Sequence, residues 1–276
     1  IVLANGVLGL AYMHRIARGI WGLDRSLLPP GFGGRLNLGH LWFLYLLWWF
    51  CAAVVAWAAL QPRLPAAVQA LPGAVARVLR RLGAAPWGFA LLVLPLALAG
   101  ASYRNGVVTP TGSLLPPWQE WLHNGLFFAF GLALWGARET LLPLWQRRWW
   151  AYLLAGAPFF LVSGALVERQ APAVAITLAY TASTWLWTLG LIGLFMRHAG
   201  QRNAVGAYLA DSAYWVYLVH LPIELGVAGW LAPLPLGAGG KMLANMALTT
   251  LLALASYQLL VRHTLLGRLL NGRREP

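Results

Sequence analysis

Charge is what this sequence has least of: only 10% of its 276 residues are Asp, Glu, Lys or Arg, against roughly 25% in an average soluble domain. So few charges cannot cover a water-soluble globule of 30.1 kDa. With 60% hydrophobic residues and a mean hydropathy of +0.65, the chain belongs to the membrane class. Cysteine is scarcer still. Cys51 stands alone inside an apolar run, which excludes an intrachain disulfide framework and a Cys-based metal cluster. There is no P-loop, no GxGxxG between a strand and a helix, no HExxH and no GxSxG. ATP-driven transport and zinc proteolysis are therefore disfavoured, and no metal is expected, because the His and Glu residues lack a ligand spacing. Acidic residues are few as well, 7 against 20 Lys and Arg, for a formal charge of +13. In a soluble protein that balance suggests nucleic acid. Here the basic residues sit in short loops between apolar runs, where they orient a membrane protein, so no nucleic-acid partner is expected.

What the chain has in quantity is long apolar runs. Eight are legible, at roughly 1–12, 39–60, 87–103, 122–137, 149–166, 173–196, 208–231 and 242–262. None shows the alternation of a membrane β-strand, and helices are the remaining way to satisfy a backbone in lipid. The expected fold is an all-α polytopic integral membrane helix bundle, with seven full spans plus one partial N-terminal span in contact with the lipid bilayer. The partial span, IVLANGVLGLAY, is shorter than the ~20 residues a crossing needs and reads as the second half of a helix. The 16 Trp and 9 Tyr suit the aromatic belts of a membrane interface. Loops 13–38, 104–121, 167–172 and 232–241 hold 7 of the 20 Lys and Arg, and the alternate loops with the C-terminal tail hold 13. The positive-inside rule places the richer set, and the C-terminus, in the cytoplasm. Loop 13–38 runs against the trend with Arg15, Arg18, Arg25 and Arg35, either as noise in a long loop or as a basic outer vestibule for an anionic group. Loop 61–86 is expected to form a short amphipathic helix on the cytoplasmic surface, with Arg77, Arg80 and Arg81 toward headgroups.

Ionisable residues inside spans are costly and so are functional candidates. The seventh run, counting the partial one, YLADSAYWVYLVHLPIELGVAGWL, carries Tyr217, His220 and Glu224. On a helix these fall within about 60° of one another, which gives one face a phenol, an imidazole and a carboxylate. Pro222 lacks an N–H, frees the Leu218 carbonyl and is expected to kink the helix. His220, oriented by Glu224, is a candidate catalytic general base toward a hydroxyl; the other reading is a buried cluster that only pins helices. His40, with Trp42 beyond it and Arg35 before it, is a candidate substrate-binding group, or an interfacial histidine in an aromatic belt. Glu120 and His123, spaced i, i+3, form a further candidate pair, although PPW ahead of them reads first as a helix start.

HLWFLYLL at 40–47 and RNAVGAYLADSAYWVYLVHLP at 202–222 resemble the integral-membrane acyltransferase 3 family, in which a His-Leu-Trp-Phe-Leu span precedes a Ser-x-Tyr-x-x-Tyr-Leu-x-His-x-Pro helix. Here the second motif is Ser212, Tyr214, Tyr217, Leu218, His220 and Pro222. The ending VRHTLLGRLLNGRR is similar to the branch that includes glucan succinyltransferases of bacterial envelopes. The resemblance implies one domain over 1–276, a fragment lacking about two N-terminal helices, in the bacterial inner membrane. It implies transfer of an acyl group from acyl-CoA to a hydroxyl of an envelope glycan, with no bound cofactor. The family's best-known catalytic His lies in its first helix and matches no residue here. In this reading Tyr217, His40, Trp42 and Arg35 hold substrate, Arg35 by pairing with an anionic glycan or dicarboxylic acyl group. The alternative is a transporter or flippase for an envelope sugar or lipid, in which the polar face of 208–231 lines a pathway.

Overall fold

The computed structural model describes residues 38–201 and 203–271. Arg35 and the apolar run 1–12 lie outside the described residues. Within them there are ten α-helices, two single-turn 3-10 segments and no strand: α1 (Trp42–Leu60), α2 (Ala66–Gln69), α3 (Leu71–Ala84), α4 (Gly88–Gly100), α5 (Trp118–Trp135), α6 (Arg138–Glu168), α7 (Ala173–His198), α8 (Ala204–Leu231), α9 (Ala238–Leu260) and α10 (Leu265–Asn271). Each of the seven full apolar runs falls on a helix. Four stretches, Gly39–Arg63, Arg138–Glu168, Ala173–His198 and Ala238–Leu260, are long and apolar enough to cross a membrane. Their outward side chains, among them Val55, Leu161, Leu243 and Leu259, are exposed, which in a chain of this composition marks a surface made for lipid. At 28 residues α8 is also long enough to cross, but its aromatic hydroxyls, His220 and Glu224 dilute its apolar character.

One segment differs from a reading by apolar runs. The stretch 138–148, expected as a loop, forms the first three turns of the 31-residue α6. At 1.5 Å per residue that helix is about 46 Å long, well beyond the ~30 Å of hydrocarbon, so its polar start with Arg138, Gln146, Arg147 and Arg148 continues past the lipid. The amphipathic helix expected in 61–86 is present as α3.

The chain divides into two compact units, one of residues 42–201 and one combining 1–41 with 202–276. In the first, which holds α1–α7, glycines let α6 and α7 approach closely. A Cβ on Gly193 would lie 2.3 Å from the Trp145 carbonyl oxygen, and one on Gly190 2.7 Å from Leu153. This is the small-residue packing that replaces a hydrophobic driving force inside a bilayer. Trp145 and Trp185 are fully buried with Phe130 between them, at ring separations of 6.0 and 4.9 Å. Each indole N–H has a carbonyl partner: Trp145 donates to Gly83 at the end of α3 at 2.8 Å, and Trp185 to Leu92 of α4 at 3.1 Å. The first of these satisfies a carbonyl that the end of a helix leaves over and fastens α3 to α6.

In the second unit the described parts are a 3-10 turn at Gly39–Leu41 and α8–α10. The Asn203 side chain accepts from the Gly206 N–H at 2.6 Å to cap the start of α8. Lys241 Nζ donates to the Ala232 carbonyl at 2.7 Å and covers the other end. Between α8 and α9, Tyr208 donates to the Leu254 carbonyl at 3.1 Å and Trp215 to the Ser256 hydroxyl at 2.9 Å.

Candidate active site

The second unit concentrates three titratable rings in one place. His40 lies on the turn opened by Gly39, whose φ of +53° is a left-handed conformation that glycine adopts without steric cost. Pro222, inside α8, has no N–H to give to the carbonyl one turn earlier, and His40 Nε2 lies 3.3 Å from that carbonyl, Leu218 O. The Tyr217 hydroxyl donates in return to the His40 backbone carbonyl. His40 is thus held twice by consecutive residues of α8, once through its ring and once through its backbone.

His220 completes the group. Its ring centroid is 5.3 Å from that of His40, edge-on at 84°, and 5.7 Å from that of Tyr217. His220 Nδ1 lies 2.8 Å from the Tyr217 carbonyl. A carbonyl can only accept, so in the neutral ring this bond puts the proton on Nδ1 and leaves the Nε2 lone pair free. The same argument applied to His40 puts its proton on Nε2. All three side chains are half-buried. The site therefore contains an oriented imidazole with a free basic nitrogen, a second imidazole beside it, and a phenol that fixes the turn.

The other expected site residues lie elsewhere. Glu224 is exposed and lines a notch of about 210 Å³ with Asn245, Met246, Thr249 and Thr250 of α9. The orienting partner of His220 is the Tyr217 carbonyl, and among the described residues no hydrogen bond joins Glu224 to the imidazole. Trp42 begins α1, in the other unit, and meets Phe43 edge-on at 5.9 Å. In that unit Glu120 is fully buried and accepts the Thr111 N–H at 2.8 Å, so its carboxylate pins the loop before α5. His123 packs on Phe127 at 5.4 Å, with Nδ1 buried and unpartnered among the described residues. No group of three or more His, Cys, Asp or Glu placed to hold a metal ion occurs among the described residues.

The model of the acyltransferase 3 family, described as an acyltransferase domain, matches residues 2–259. The chain belongs to this family. It is a multi-pass membrane acyltransferase, and the match extends over both compact units. No curated protein and no solved structure matches it. Within this acyltransferase, the pairing of His40 with α8 is what a reading of the sequence misses. Pro222 announces that Leu218 O needs a donor from outside the helix, but nothing in the chain names a histidine 178 residues away as that donor.

Proposed function

We propose that the enzyme transfers an acyl group from acyl-CoA to a hydroxyl of an envelope carbohydrate, and that His220 is the general base. The observation that carries this reading is the Nδ1 bond from His220 to the Tyr217 carbonyl, which puts the proton on Nδ1 and leaves Nε2 with a lone pair that, among the described residues, meets no hydrogen-bond donor. In the reaction His220 Nε2 removes the proton from the acceptor hydroxyl, and the oxygen attacks the thioester carbonyl. The new C–O ester bond forms as the C–S bond breaks, and the proton passes to the departing thiolate. No bound cofactor is needed, because the thioester is already activated. His40 and Tyr217 are assigned to the wall of this site, while Trp42 and Arg35 are proposed as substrate contacts from the sequence alone. The loop-charge asymmetry supports a C-terminus on the cytoplasmic side of a bacterial inner membrane, the side from which acyl-CoA arrives.

The test is chemical. The full-length gene is deleted and then restored in its own host, and extracytoplasmic glycans and lipid-linked sugars are compared by mass spectrometry before and after mild base. The expected result is a base-labile mass increment that disappears on deletion and returns on restoration, its size giving the acyl group. Identical spectra in all strains would sink the proposal and favour transport.

A further inference from the structure

A cavity lined by arginines lies within the unit 42–201. It has a volume of about 590 Å³ and lies between α3 and the turn joining α5 to α6. Arg77, Arg80 and Arg81 of α3 form one wall; at spacings of three and four residues they share a helix face. Trp135 and Arg138 form the opposite wall, with the Arg138 guanidinium 4.4 Å above the Trp135 ring and Nη1 donating to the Trp135 carbonyl at 2.9 Å. Glu139 is the one carboxylate on the lining. It meets Arg138 at 3.9 Å and its side chain is 88% exposed, so it neutralises little of the charge.

The arginines are prepared to bind rather than already spent. Arg80 uses Nε on the Ala76 carbonyl at 3.1 Å, which fixes the side chain and leaves both terminal nitrogens available. Arg77 and Arg81 have no hydrogen-bond or ion-pair partner among the described residues. The scaffold under them is rigid, because α3 is tied to α6 by the buried Trp145–Gly83 bond. Four guanidiniums on facing walls match the forked geometry by which arginine recognises phosphate oxygens. The cavity has the size of a small-molecule site, with room for more than the phosphate itself.

We infer that this arginine-lined cavity is a binding site for a phosphate group, separate from the histidine site. Two sources share that chemistry: a soluble phosphorylated nucleotide, such as the adenosine end of coenzyme A, and the headgroup of an anionic phospholipid. The inference stands on the cavity alone and does not depend on the catalytic role given to His220.

The experiment uses the full-length protein in phosphatidylcholine nanodiscs, with adenosine 3′,5′-bisphosphate as the soluble probe followed by calorimetry. A parallel arm counts phosphatidylglycerol retained by the protein in native mass spectrometry. Saturable binding in one arm, weakened at least tenfold in R80Q/R81Q and partly restored in R80K/R81K, is the expected result, and the responding arm names the source. R138Q, on the exposed opposite wall, serves as the independent variant if the double substitution lowers expression. Absence of binding in both arms overturns the site, as does binding unchanged in R80Q/R81Q and R138Q proteins with wild-type melting temperatures.

Discussion

At the scale of single residues, the acyltransferase site depends on which nitrogen of each imidazole holds its proton. The carbonyls of Tyr217 and Leu218 are consecutive on α8, and each takes a ring N–H, the first from His220 and the second from His40. The two rings are thereby fixed in opposite tautomers only 5.3 Å apart. A general base contributes roughly 10²–10⁴-fold to a rate, so His220→Ala is expected to lower transfer by that factor in folded protein. His220→Gln separates catalysis from packing. Glutamine can still donate to the Tyr217 carbonyl, but it cannot accept a proton near neutral pH, so it is expected to restore folding without restoring activity. Transfer assays on purified variants of matched melting temperature make the comparison, and a fully active Gln variant would reduce His220 to a structural role. Glu224→Gln is expected to retain most of the activity, since that carboxylate lines a separate notch with α9.

At the scale of elements, the association of α6 with α7 rests on backbone proximity more than on side-chain volume. The Gly193 Cα faces the Trp145 carbonyl, and an added Cβ would sit 2.3 Å from that oxygen, a fixed backbone atom with no rotamer to yield. Gly164 lies in the same α6 with nothing within 4 Å of an added Cβ. Gly193→Ala is therefore expected to force the helices apart at a cost of about 1–3 kcal/mol, read as a lower melting temperature in detergent. Gly164→Ala is expected to be neutral or stabilising by up to about 1 kcal/mol, since alanine is the better helix former. Equal melting temperatures for the two variants would show that α6 and α7 do not touch along this line. The same close contact places Trp145 where its indole reaches the Gly83 carbonyl, so the α6–α7 seam also holds α3, with its arginines, in place.

At the scale of the whole molecule, the reading from sequence succeeds where physics is local and stops where it is not. Hydropathy finds the helices because lipid tests each run separately, and the amphipathic pattern of Arg77, Arg80 and Arg81 identifies α3 for the same reason. Helix ends are blurred because polar turns such as Arg138–Arg148 keep hydrogen-bonding to themselves after leaving the hydrocarbon. At the site, Tyr217 and His220 are visible as one helix face, whereas the contribution of His40 and the convergence of Arg138 on α3 depend on tertiary contacts that spacing does not encode. The position of α1 in the bilayer can be tested without any substitution of a functional residue, because the chain has a single cysteine. Cys51 lies at the centre of α1 (Trp42–Leu60), with an exposed side chain. If that exposure is to lipid, the thiol is beyond the reach of a charged, water-soluble maleimide. The expected outcome is negligible labelling in intact membranes or nanodiscs and complete labelling after denaturation in dodecyl sulfate, measured by intact-protein mass. Labelling of the membrane-embedded protein at the rate of the denatured chain would place α1 in water and remove the span that connects His40 to the rest of the enzyme.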